Sequence, residues 1–308
     1  MLEKTETPIK CLGDVEKVDL LKLPHISSGI KCLDRVLKGL FDSQLIVVTG
    51  KRGQGKSTFA SWILANALDQ GRNIFAYSGE LPDYHFRNWL DLQIAGSQNI
   101  DTEKNEWGDP SYSVRKDAGD KLTEFYRGRA FIFDNSCPIK GRLQDVLIDS
   151  IRYAADELHC TVILIDNIMT AVDLLEKDGY TIQSGFVKDL KALAAEKKLT
   201  ILLIAHPRKT EQGKPVQNSD DVSGSSDITN LADVVLSYCR IEKKGENHDS
   251  AIHVLKNRMT GRLATGDYAI KVQYSEKTKR ILSDDDDKDQ TKLMCCFKNV
   301  AENSVLPF

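Results

Sequence analysis

The stretch "GKRGQGKS", residues 50–57, carries the most specific chemistry in this chain. It fits the spacing G-x-x-x-x-G-K-[ST]. Gly50, Gly53 and Gly55 free the backbone to turn so that successive N–H groups face an anion. A helix opening directly after the loop adds the positive end of its dipole. Lys56 is then placed to reach the β and γ phosphates of a nucleoside triphosphate, and the Ser57 hydroxyl to ligate Mg²⁺. Gln54 and Thr58 complete the set expected to hold the nucleotide.

Two carboxylates could complete a hydrolytic centre. In "VILIDN" an apolar run ends in Asp166, and a carboxylate at the C-terminal end of a strand beside a phosphate loop suits the shell of Mg²⁺. An Asp in that position can also be a plain helix cap. The residue after it, where many nucleotide hydrolases keep their base, is Asn167, and an amide cannot take a proton. The expected base is therefore Glu80 in "AYSGELP", with an exposed turn residue before Pro82 as the alternative. Late in the chain, "HVLKNRMTGR" sets Lys256 and Arg258 two residues apart, which puts both cations on one side of a strand.

These residues need a scaffold. Near-continuous apolar runs at 44–49, 73–78, 130–134, 161–166 and 200–205 read as parallel strands buried on both faces. Helical patterns at 56–70, 142–158 and 182–198 alternate with them, so an α/β domain with a mostly parallel sheet is expected. After Asp233 helices give way to shorter strands at 234–238, 251–255 and 268–274, an antiparallel extension of the same sheet. The expected layout is an arm or linker over 1–26, one ATPase domain over 27–282, and a flexible tail with an acidic run over 283–308.

Composition narrows the setting. At 308 residues, 41% hydrophobic and 28% charged, the chain is an ordinary globular one, and a net charge of -3 excludes a globally basic nucleic-acid binder. Seven cysteines without CxxC pairs or companion histidines argue against a zinc site. With no signal peptide and no long apolar run, the expectation is a cytoplasmic protein with no membrane partner.

Several blocks, in order, resemble one family. "SSGIKCLDRVLKGLFDSQLIVVTGKRGQGKST", "YSGELP", "VILIDNIMT", "LLIAHPRK", "DDVSGSSDITNLADVVLSYCR" and "VLKNRMTG" are similar to the motifs of DnaB-type and Twinkle-like hexameric helicases, within the RecA and KaiC superfamily. The likeness covers residues 27–281 and lacks the primase part of phage primase-helicases. It implies a RecA-like fold, ATP and Mg²⁺ as cofactors, and a ring, a homo-hexamer, moving 5′–3′ on single-stranded DNA in replication. It also implies Glu80 as base and Asp166 as Mg²⁺ ligand. His206 would be the polar sensor of the γ-phosphate, and Arg258 with Lys256 the cationic pair given to the neighbouring subunit's ATP. Channel loops carrying Arg208, Lys209, Lys214, Arg240, Lys243 and Lys244 would grip DNA phosphates, making a locally basic tunnel in a mildly acidic particle. Primase, polymerase or a loader are further partners the likeness suggests. Two other readings stay open: a RecA- or KaiC-like ATPase that binds DNA or protein without unwinding, and a nucleotide-switch module that turns over little.

Overall fold

A computed structural model describes residues 9–172, 179–207, 226–241 and 247–286. The chain enters as an exposed arm on which Ile9, Leu12, Val15 and Val18 all face solvent. A short pair, β1 (His25–Ile26) and β2 (Leu40–Phe41), brackets α1 (Lys31–Leu37). Then come β3 (Gln44–Thr49), α2 (Lys56–Asp69), β4 (Asn73–Ser78) and α3 (Asp83–Ala95). A hairpin of β5 (Ile100–Lys104) and β6 (Pro110–Val114) leads to α4 (Lys116–Tyr126) and β7 (Ala130–Ile132). There follow α5 (Leu143–Asp156), β8 (Cys160–Asp166), α6 (Ile168–Ala171), α7 (Gly179–Lys197) and β9 (Thr200–Ile204). The last elements are α8 (Ser226–Leu231), β10 (Val234–Arg240), β11 (Ser250–Asn257), β12 (Ile270–Tyr274) and β13 (Ile281–Leu282).

Among the described residues the central sheet has nine strands in the order β13-β12-β11-β10-β3-β9-β8-β4-β7. From β10 to β7 every pairing is parallel, and the three strands beyond β10 are antiparallel. Burial on both faces explains the unbroken apolar runs. In β3, Leu45 and Val47 point into one core, and Ile46 and Val48 into the other. Helix α2 lies inside the first core with Phe59, Ala60, Trp62, Ile63 and Leu64 all buried, as expected of a helix apolar nearly all round. Helices α5 and α7 cover the opposite face.

The expected strands and helices all form, with small changes at their ends. The strand expected over 130–134 stops at Ile132, and the one expected over 268–274 begins at Ile270. Between 83 and 126 the sequence pattern fails to announce α3, α4 or the hairpin. Only Ala118 and Leu122 of α4 are buried, and β5 buries only Ile100, so neither produces a strong apolar period. The tail expected to run free from Ser283 stays attached through Asp286. That carboxylate is buried and accepts hydrogen bonds from the backbone N–H of Lys31 and of Ser283, while Asp285 pairs with Arg35. Among the described residues no helix is long and apolar enough to cross a membrane.

Candidate active site

The phosphate loop leaves β3 and enters α2, as its motif requires. Gly50, Gly53 and Gly55 all take positive φ, at 143°, 72° and 100°. Gly50 has a second reason to be glycine: a Cβ there would lie 2.2 Å from the Tyr238 carbonyl oxygen of β10. Gln54 accepts a hydrogen bond from the Arg240 backbone N–H at 2.6 Å, which ties the loop to the end of β10. Lys56 is buried and its ammonium donates to the Lys51 carbonyl at 3.0 Å, curling over the loop. Burial lowers the Lys56 pKa, against the pull of Asp166 and Glu80.

Sheet order decides what stands beside the loop. β8 and β9 come later in the chain, yet they lie between β3 and β4. Their C-terminal ends therefore open on the same cleft, of about 530 Å³, as those of β3 and β4. Asp166 ends β8, hydrogen-bonds Ser57 and is nearly fully buried. Its pKa is pushed up to about 6, chiefly by desolvation and also by the Glu80 charge, while Ser57 and Lys56 hold it down. Glu80 lies just past β4. Gly79 brings it there by close approach: its N–H donates to the Asp166 carbonyl at 2.6 Å, and a Cβ would meet Thr170 Oγ1 at 2.1 Å. His206 lies just past β9, with Nε2 3.5 Å from Glu80 Oε1. Desolvation first, then the Lys56 charge, lowers its pKa, against the pull of Glu80.

Sequence reasoning missed what joins these groups. Asn167 Nδ2 donates to Glu80 Oε1 at 2.7 Å and lies 3.2 Å from His206 Nε2. Its position, an amide where a base is commonly found, was the available signal. Trp89 and Tyr274 also line the cleft and were not anticipated, since neither adjoins a motif. Among the described residues no cluster of three or more His, Cys, Asp or Glu side chains could hold a metal alone. Ser57 and Asp166 fit Mg²⁺ in its usual manner, in which a carboxylate and a hydroxyl supply two ligands and nucleotide oxygens and water the rest.

The cationic pair departs from expectation. β11 ends at Asn257, so Arg258 sits in the following turn, where its N–H donates to the Asp233 carbonyl at 2.9 Å. Asn257 makes that turn, accepting from the backbone N–H groups of Met259 and Thr260. Neither cation points freely outward. Lys256 donates to the Thr229 and Asn230 carbonyls at 2.7 and 3.0 Å, and Arg258 to the Asn230 carbonyl, at the C-terminal end of α8. Arg240, expected in a channel loop, lines the nucleotide cleft. Arg208, Lys209, Lys214, Lys243 and Lys244 lie outside the described residues.

A phosphate loop where the sheet's strand order reverses, with carboxylates from two neighbouring parallel strands, defines the class: a RecA-like P-loop nucleotide-binding domain. The chain belongs to the DnaB-like helicase C-terminal domain family, which matches residues 25–282. It is 23% identical over 247 residues to the replicative DNA helicase DnaB of Haemophilus influenzae and 23% over 254 to that of Pasteurella multocida. Those alignments cover 76% and 81% of this chain, which spans about half of each relative, 52% and 53%. In fold it is similar to a DnaB-like replicative helicase solved in a study of its interactions with primase (TM-score 0.66, 16% identity, 88% of this chain and 66% of that one). A second solved structure, of an ATPase domain, is similar to the same degree (0.65, 16%, 84% and 90%). A third likeness is to a KaiC-like protein of Pyrococcus horikoshii (0.57, 16%, 85% and 99%).

Proposed function

We propose that this chain is the ATP-hydrolysing motor of a replicative DNA helicase, working as a ring, a homo-hexamer, that moves 5′–3′ on single-stranded DNA. The observation that carries the reading is the cleft in which Lys56, Ser57, Asp166, Glu80 and His206 converge, in a chain of this family. Lys56 and the loop amides hold the triphosphate, and Ser57 and Asp166 hold Mg²⁺, which when bound offsets charge on the phosphates. Glu80, exposed at its tip and anchored at Oε1, takes the proton of the attacking water. His206 senses the γ-phosphate. Arg240, Trp89 and Tyr274, a cation and two aromatic faces on the same cleft, suit the base and ribose.

Lys256 and Arg258 reach a neighbouring subunit's nucleotide by exchanging the α8 carbonyls for phosphate oxygens. The basic residues at 208, 209, 214, 243 and 244 contact DNA phosphates, and Arg240 stays with the nucleotide. Primase, polymerase or a loader complete the setting, in the cytoplasm. A forked duplex with a 5′ single-stranded tail tests the reading. ATP-dependent unwinding is expected. Tight DNA binding without unwinding would favour a RecA- or KaiC-like ATPase, and turnover indifferent to single-stranded DNA a nucleotide switch.

A further inference from the structure

Asn167 is fully buried, and every polar atom of its side chain is used. Oδ1 accepts from the backbone N–H groups of Met169 and Thr170 at 2.8 and 3.3 Å, capping α6. Those donors fix which end of the amide is which: oxygen must face the helix, so the NH₂ group must face the cleft. One of its hydrogens goes to Glu80 Oε1, at 2.7 Å. The other is left for His206 Nε2, at 3.2 Å. A ring nitrogen can accept only when it carries no proton, so this contact, read as a hydrogen bond, requires His206 to carry its proton on Nδ1. Nδ1 is itself buried and, among the described residues, without a hydrogen-bond partner. Glu80 Oε1 and His206 Nε2, 3.5 Å apart, are thus two acceptors held together by one double donor.

We propose that Asn167 is a positioning residue that orients the base and sets the tautomer of the sensor, joining Glu80 and His206 into one hydrogen-bonded unit. The inference rests on the reading of Glu80 as base and His206 as sensor. An amide is the side chain that does this. Its oxygen satisfies the helix while its nitrogen supplies two donors, and it adds no charge beside Asp166 and Glu80. A carboxylate at 167 would keep the cap and lose both donors. The arrangement also gives one of the two carboxylate oxygens of Glu80 a fixed partner, leaving Oε2 as the oxygen for water.

Two cap-competent variants separate positioning from capping. Asn167→Asp and Asn167→Ser each keep an acceptor for the α6 amides, and neither can donate to both Glu80 and His206. Both are expected to keep nucleotide-analogue affinity within a few-fold, while kcat falls about 10- to 100-fold, the size of one hydrogen bond to a charged group. In a Glu80→Gln background the same substitutions are expected to cost little more, because the group they orient is gone. Wild-type turnover in either variant would overturn the proposal, as would full additivity with Glu80→Gln. Should neither variant fold, ¹⁵N NMR of the wild-type imidazole decides: a neutral ring protonated on Nδ1 is expected, and protonation on Nε2 overturns it. Normal turnover of Glu80→Gln alone sinks the base assignment instead, and leaves the tautomer result standing.

Discussion

The nucleotide cleft and the turn after β11 both gather charged side chains, yet they hold them in opposite ways. In the cleft the groups face one another, buried or half-buried but for the exposed tip of Glu80: Ser57 on Asp166, Asn167 on Glu80, His206 beside Asn167 and Glu80. Burial raises the Asp166 pKa to about 6 and lowers those of Lys56 and His206, because desolvation penalises the charged form of each. In the turn, Arg258 is exposed and Lys256 half-buried, and both rest on the carbonyl ends of α8, where a helix dipole favours cations. The cleft is a site assembled inside one chain. The turn is a pair of cations parked on backbone carbonyls, with Arg258 also 3.7 Å from the Asp233 carboxylate.

The sharpest way to break that contrast is Arg258→Ala. If the turn serves a neighbour's phosphate, kcat falls about 10³–10⁵-fold with nucleotide affinity retained. Mixing Arg258→Ala with Lys56→Ala subunits should then recover part of the activity at mixed interfaces. An unchanged ATPase rate in Arg258→Ala would reduce the pair to a clamp on α8. Next in size is Glu80→Gln, expected to bind analogue normally and to lose about 10²–10⁴ in turnover.

Two smaller effects probe the cleft's own construction. Asp166→Asn should stabilise the nucleotide-free protein while abolishing Mg²⁺-dependent hydrolysis. The folded carboxyl titrates at about 6 against its usual 3.8, so between those values the folded state holds more protons than the unfolded chain. The Asp166 contribution to wild-type stability therefore falls as pH rises from about 4 to about 6 and does not recover above it; the loss is on the order of 2–3 kcal/mol at most. Thermal melts across that range should show a shallower slope in the variant than in wild type, the remainder coming from Asp34 and Asp91, whose pKa values burial also raises. Gly50→Ala, which pushes a methyl onto the Tyr238 carbonyl at a φ of 143°, should lower stability by about 1–3 kcal/mol and weaken nucleotide binding. A melt unchanged from wild type would mean that the loop yields more easily than its contact with β10 suggests.

Much of the scaffold was legible because parallel strands buried on both faces leave long apolar runs, and β3, β4, β8 and β9 are such strands. α4 was not legible, since only Ala118 and Leu122 of its residues are buried. Glu80 and Asp166 could be picked out as strand-end carboxylates. The link between them could not, because an asparagine after a strand reads the same whether it caps a helix, orients a base or does both.

What the residues determine by themselves is local. Glycines at 50, 53 and 55 dictate a loop that an anion can enter, and Asn257 dictates a turn. What only the tertiary structure decides is adjacency. Strands β8 and β9 slot between β3 and β4, so Glu80, the Asp166–Asn167 pair and His206, far apart in sequence, meet at the C-terminal ends of these strands. The same folding brings the Asn230 carbonyl under Lys256 and Arg258, holding two like charges where sequence alone would leave them pointing into solvent. Local motifs follow from backbone freedom and side-chain type, whereas strand order is fixed by which faces the whole chain can bury.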